Sequence, residues 1–256
     1  MVMVFAVIVL SACAKVPKPE PISLNNNIAV VAALGNTAEV KSESMLASDS
    51  RNLELPELNL NESVSNAIQQ ALLQNKRNAE IIYLTANNPL YQFMKAKPLV
   101  SDYELEPRDQ TALREVLQNR KIDTVILITR NPATVTLTKI GAYADYTFIY
   151  GFGYYQRNLL GINTTMMAAG AKLYIIDTKT MHVRNAYAVE KAESVPEETF
   201  PNESKPELAQ TTTYLSDWLN QAFIPAVVES MKPYSSNVQL AEKIKSGIRK
   251  FRQAIA

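Results

Sequence analysis

Cysteine, histidine and tryptophan each occur once in 256 residues. A single thiol excludes an intrachain disulfide and a multi-thiolate zinc site, and a single imidazole excludes a two-histidine metal or catalytic centre. Net charge is equally scarce: 26 Lys plus Arg stand against 25 Asp plus Glu, a formal +1. That balance leaves no whole-chain electrostatic footprint for nucleic acid. What is present is globular, with 47% apolar and 20% charged residues. Such a composition excludes global disorder and a collagen-like chain, and the length gives room for one or two domains with a proper core.

Residues 1–12 (MVMVFAVIVLSA) form an uncharged apolar run ending in small residues, and the next residue is Cys13. The run is too short to span a bilayer as a helix. It reads as a secretory signal, although it lacks the Lys or Arg with which such segments usually open. The alternative is a buried strand carrying a free core cysteine. Leu10-Ser11-Ala12-Cys13 resembles the lipobox of bacterial lipoproteins. The resemblance implies a diacylglyceryl group on the Cys13 thiol, cleavage before Cys13, and acylation of the new amine. Three acyl chains hold firmly where one is marginal. Ala14 occupies a position where lipoproteins retained in the inner membrane often carry Asp, so the resemblance implies the outer membrane of a Gram-negative bacterium, with the domain facing the periplasm. No cofactor is expected beyond the covalent lipid on Cys13. Residues 13–27 then read as a tether, because Pro17, Pro19 and Pro21 favour polyproline II conformation. At ~3.1 Å per residue, Ala14 to Asn27 could reach roughly 40 Å.

The folded part is expected over residues 28–231. Ile28 to Leu34 (IAVVAAL), closed by Gly35 and Asn36, reads as a buried first strand. Residues 36–60 lack a period and read as a long loop. Asn61 is suited to cap a helix whose apolar positions Val64, Ala67, Ile68, Ala71 and Leu72 face a sheet. Ala79 to Thr85 reads as a second strand, Pro107 as the start of a second helix with Ala112, Leu113, Val116 and Leu117 on one side, and Asp123 to Thr129 as a third strand. The fold class is therefore α/β, with a β-α-β-α-β core. Strand-like runs at Thr134 to Ile140, Tyr143 to Gly153, Ala171 to Ile176 and His182 to Glu190 suggest an antiparallel extension. A helix over residues 208 to 224 follows, which Pro225 should end or kink.

This element order resembles the small α/β domain of periplasmic accessory proteins, such as the amino-terminal domain of the Tol system's β-propeller protein and the curli-secretion lipoprotein family. The resemblance is carried by Ile28 to Leu34, Asp123 to Thr129 and Lys172 to Thr180. It implies a fold and assigns no function.

Little in the chain suggests catalysis. Gly151-Phe152-Gly153 lacks the third glycine and the following helix of a dinucleotide fingerprint. Asp102, Glu104, Glu106 and Asp109 lack the spacing of a calcium loop and suit a helix amino terminus. Asp177 and His182 could pair across a turn, but Asp177 can equally bond its own turn backbone, and no nucleophile motif accompanies the pair. The chain is read as not being an enzyme.

The most unusual stretch is YADYTFIYGFGYY, residues 143–155. Read as one strand, it puts Tyr146, Phe148, Tyr150, Phe152 and Tyr154 on one face. These aromatics could be core, a partner surface, or a lipid-facing strand of an oligomeric pore. The favoured expectation buries Tyr146 and Phe148 and offers Phe152, Tyr154 and the neighbouring Tyr155 to a partner. Residues 156–170 read as a mobile apolar segment. Residues 232–256 are read as a basic amphipathic terminal helix from Val238, whose Lys245, Arg249 and Arg252 would meet an acidic partner or anionic head groups.

The leading reading is an outer-membrane lipoprotein with a non-catalytic interaction or assembly domain, bound to membrane through its lipid and to an envelope protein or further copies of itself. A subunit of a secretion or export pore is the second reading, with residues 134–155 as membrane strands, and an envelope hydrolase the third.

Overall fold

The computed structural model describes residue 24 and residues 27–44, 46–85, 87–91, 105–140, 143–159, 162–195 and 208–232. In chain order the elements are β1 (Asn27–Ala33), β2 (Thr37–Ser44), β3 (Ser48–Glu54), α1 (Leu60–Gln74), β4 (Asn78–Ile81), α2 (Pro107–Val116), β5 (Thr124–Arg130), β6 (Pro132–Ile140), β7 (Tyr143–Tyr150), β8 (Phe152–Leu159), β9 (Ile162–Asp177), β10 (Val183–Val195), α3 (Leu208–Trp218) and α4 (Ile224–Ser230). The fold is mixed α/β. The expected β-α-β-α-β core is present as β1, α1, β4, α2 and β5, with β1 paired in parallel to both β4 and β5.

The sixteen-residue β9 organises the sheet. Its second half pairs antiparallel with β5, its first half antiparallel with β8, and its other edge with β10. β8 carries β2 in parallel, and β2 carries β3 antiparallel. One edge of β9 is thus shared by two strands that diverge at Gly170.

Alternation along the strands divides the core. Val30, Ala32, Ile126, Ile128, Leu173 and Ile175 face α1 and the carboxy-terminal helices, where Val64, Ile68, Leu72, Leu219 and Phe223 complete the layer. Ala29, Val31, Val125, Leu127 and Tyr174 face Ala112 and Leu113 of α2. The two helices of the core therefore cover opposite faces of the sheet.

Four expectations need correction. Residues 36–60 are not a long loop: their described residues form the paired strands β2 and β3 and a short 3-10 turn, Pro56–Leu58, before α1. The expected mobile segment is strand in its described residues: 156–159 belong to β8 and 162–170 to β9, with Gln156 paired to Thr165. Asn61 does not cap α1, which follows Asn59 in left-handed conformation. Its Oδ1 instead accepts hydrogen bonds from the amides of Leu34 and Gly35 (2.6 and 3.2 Å), tying the helix start to the end of β1. Of the two outcomes expected at Pro225, the ending is the one to correct: the helix continues, with a π-helical turn over Leu219–Phe223 joining α3 to α4. A wider turn accommodates a residue that lacks an amide proton and crowds the preceding carbonyl.

Candidate functional site

At Asn131 the chain leaves the main sheet, runs out as β6, returns as β7 and re-enters as β8. A ring of backbone bonds closes this fork: the Asn131 amide donates to Gly170 O (3.1 Å), the Gly151 amide to Asn131 O (3.1 Å), and the Gly170 amide to Gly151 O (2.5 Å). Glycine is required at the fork for two reasons. Gly151 has φ of +83°, which side chains disfavour. A Cβ at Gly170 would lie 2.4 Å from the Asn131 carbonyl oxygen.

Arg130 is buried at the carboxyl end of β5, beside the end of β1. Open α/β sheets hold ligands in the crevice outside such strand ends, where helices pass to opposite faces. Here a side chain of the protein itself, Arg130, bonds across those strand ends. Arg130 Nε donates to Leu34 O, Nη2 donates to Thr37 O (2.7 Å), and the guanidinium carbon lies 5.4 Å from the centroid of the Phe152 ring. Burial lowers the Arg130 pKa from its ordinary value, against the raising influence of Tyr150, Tyr91, Glu54 and Glu39. The Tyr150 phenol is pushed up by burial and held back by Arg130. Among the described residues its hydroxyl is buried without a hydrogen-bond partner.

The excursion itself is a two-faced hairpin. Its inner face, Ala133, Val135 and Ile149, packs on Tyr155 and Ala168 of the sheet. Its outer face carries Thr134 opposite Phe148 and Thr136 opposite Tyr146. Tyr146 is 58% exposed and Phe148 46%, and their rings meet edge to face at 5.6 Å. Side-chain ties hold the hairpin down. Lys41 Nζ donates to Phe148 O, the Tyr150 amide donates to Glu39 Oε2 (2.5 Å), and the Thr134 amide and hydroxyl donate to Glu190 (both 3.1 Å). Farther along, Arg157 pairs with Asp145 (2.5 Å) and the Tyr155 hydroxyl donates to Glu43. Burial first, then Glu43, push the Tyr155 phenol well above its ordinary value.

This geometry reverses the expected order of the aromatic stretch. Phe152, Tyr154 and Tyr155 are 1%, 3% and 2% exposed, whereas Tyr146 and Phe148 are the exposed pair. The turn at Gly151 splits the run into β7 and β8, so the five aromatics do not share a face. Phe152 and Tyr154 enter the helix-covered core, and Tyr155 points the other way, beneath the hairpin. The expected membrane strands over 134–155 are likewise divided between two sheets.

Asp177 serves its turn as one reading had it. Its Oδ1 accepts from the Lys179 and Thr180 amides (2.9 and 3.1 Å), while Oδ2 is taken by Arg184 rather than by His182. Asp109 and Glu106 flank the start of α2 and share Arg108 (3.6 and 3.1 Å). Among the described residues no group of His, Cys, Asp and Glu could hold a metal ion, and no helix is long and apolar enough to cross a membrane. Cys13, Lys245, Arg249 and Arg252 lie outside the described residues. Arg130 was missed in sequence. Its signal was a charged residue closing the apolar run DTVILIT directly before Asn131-Pro132.

No family model matches this chain, and no curated relative matches it. Among solved structures it is similar to the PelC dodecamer from Paraburkholderia phytofirmans, at 10% identity over 84% of this chain and 92% of that one, with a TM-score of 0.33. It is similar to protein XCC0632 from Xanthomonas campestris at 9% identity over 87% and 92%, TM-score 0.39. It is also similar to lipoprotein GNA1162 from Neisseria meningitidis at 16% identity over 77% and 97%, TM-score 0.28.

Proposed function

We propose that this chain is a lipid-anchored protein of the bacterial envelope whose α/β domain is a non-catalytic interaction module, and that it meets its partner through the outer face of the β6–β7 hairpin. The observation that carries this reading is the Tyr146–Phe148 pair. Two large aromatics stand exposed in edge contact on a hairpin whose other face is buried and whose backbone is tied to β2. Exposed aromatics on a pre-organised surface supply contact area at little entropic cost, which is why Tyr and Phe are enriched at interfaces. The absence of catalysis is supported by the crevice: where an α/β sheet ordinarily takes a ligand, Arg130 is bonded to two carbonyls of its own chain. The anchor and the outer-membrane address rest on Leu10-Ser11-Ala12-Cys13 and Ala14.

The experiment has two arms. Cys13→Ser should leave the domain folded and abolish acyl labelling and salt-resistant membrane retention. Retention after a salt wash would place the anchor elsewhere. Tyr146→Ala with Phe148→Ala should keep the protein on membranes and lower recovery of whatever co-purifies with it. Unchanged recovery from a folded double variant would remove the hairpin from the interface.

A further inference from the structure

The end of the domain that the tether enters is basic. Its geometry follows from strand register: Asn27 at the start of β1 sits beside Asn78, Ile28 beside Thr124, and Thr124 beside Asp177. Backbone bonds close the same end, from the Asp123 amide to Asn27 O (3.0 Å) and from the Thr178 amide to Asp123 O (3.2 Å). Arg77 Nη1 reaches Leu24 O (2.9 Å), which fixes where the preceding chain arrives. Three loops therefore share one surface: residues 75–80 after α1, 117–123 after α2, and 177–184 at the β9–β10 turn.

These loops hold Lys76, Arg77, Arg120, Lys121, Lys179 and Arg184 against Glu80, Asp123 and Asp177. All three acids are already engaged. Glu80 pairs with Arg120 (3.0 Å), Asp123 accepts from Asn27 (3.3 Å), and Asp177 takes Arg184 and two turn amides. Lys76, Lys121 and Lys179 are exposed and make no ion pair among the described residues. Leu73, half exposed at the same end of α1, adds an apolar contact. Cations after the carboxyl ends of α1 and α2 are favoured by the helix dipoles. Lys179 lies in a β-turn, where no helix dipole accounts for it.

We infer that this end lies against the membrane and that Lys76, Lys121 and Lys179 contact anionic phospholipid head groups, as a second attachment signal beside the acyl chains. The inference rests on the anchored reading above, which brings the amino-terminal end of the domain to a bilayer. Ten residues separate Cys13 from Leu24, a reach of about 31 Å when extended. Charge complementarity selects the lipid, since basic groups near an anionic surface each gain about fivefold in affinity at low salt. The orientation leaves the β6–β7 hairpin pointing away from the bilayer, toward the far half of β9.

The test uses full-length acylated protein on vesicles of phosphatidylcholine, with and without phosphatidylglycerol. A membrane-impermeant amine reagent is applied, and the labelling rate of each lysine is read by mass spectrometry on the bound fraction. Phosphatidylglycerol should slow labelling of Lys76, Lys121 and Lys179 about fivefold, molar salt should restore it, and Lys191 on β10 should not change. Equal rates on the two vesicle types would overturn the inference, as would protection of Lys191 instead. Equal protection by soluble polyglutamate would make this end a general polyanion site and overturn the lipid assignment. A Lys76→Glu, Lys121→Glu, Lys179→Glu variant should stay on both vesicles through its acyl chains and lose the salt-sensitive preference for phosphatidylglycerol vesicles when the two vesicle types compete for it; a preference kept in full would overturn the inference. Release of unmodified protein from both vesicles by a salt wash is a separate result: it fails the anchor alone, because lysine protection is read before the wash.

Discussion

Truncating one aromatic on each side of Gly151 separates core from surface. Phe152 is buried in the helix-covered core with the Arg130 guanidinium over its ring. Phe152→Ala loses the transfer energy of the ring, leaves a cavity and removes the cation–π contact, together about 4 kcal/mol. Phe148 keeps nearly half its surface in water and has one ring neighbour among the described residues, Tyr146. Phe148→Ala should cost about 1 kcal/mol, mostly the edge contact. The assay is urea unfolding followed by fluorescence of the chain's one tryptophan. Trp218 is buried, with its indole nitrogen donating to Glu193 (2.8 Å), so its emission reports loss of the helix-covered face. With a urea slope of about 2 kcal/mol/M, the midpoint should fall by about 2 M for Phe152→Ala and about 0.5 M for Phe148→Ala. Similar shifts for the two variants would refute the division of the run at Gly151.

Two further outcomes follow from the fork and the hairpin ties. Arg130→Met should cost about 3 to 5 kcal/mol, because it strands the Leu34 and Thr37 carbonyls in a buried crevice. Arg130→Lys should recover only part of this, and a midpoint shift under about 0.5 M for Arg130→Met would show that the crevice does not depend on the guanidinium. Tyr155 is held protonated by burial and Glu43, so its folded pKa lies above the unfolded value. The stability it contributes is present below about pH 10 and is lost as pH rises beyond that. Tyr155→Phe should therefore flatten the fall in urea midpoint above about pH 10. Tyr150 shares the direction, so the slope should shrink without vanishing, and an unchanged slope would refute the assignment to Tyr155.

Much of the fold was legible because its core elements are local patterns with local punctuation. IAVVAAL ends at Gly35, α2 opens on Pro107, and DTVILIT runs into Asn131-Pro132. β2 and β3 were not legible, since what makes them strands is distant: Glu39 of β2 pairs with Gly153, and β3, paired to β2, has mostly exposed side chains. Period two alone also misled the reading of residues 143–155. Alternation continues through a strand only while the backbone does, and the positive φ at Gly151 moves the chain from one sheet to another. The glycines that weakened the core reading have steric reasons. A Cβ at Gly151 would lie 2.9 Å from Arg130 Cδ, and one at Gly153 would lie 1.8 Å from Glu39 O. Close packing, not a vacant face, put glycine there.

If the hairpin's outer face meets a partner while an acylated Cys13 holds the domain at the membrane, position 148 lies at a contact and the carboxy-terminal helix does not. A photoreactive amino acid placed at Phe148 in living cells tests it most directly, with the exposed Gln221 of the carboxy-terminal helix as reference. A discrete, ultraviolet-dependent adduct is expected from position 148, identifiable as one envelope protein or a second copy of the chain, and none from position 221. An adduct from position 221 with none from position 148, in variants that remain folded and membrane-bound, would contradict it.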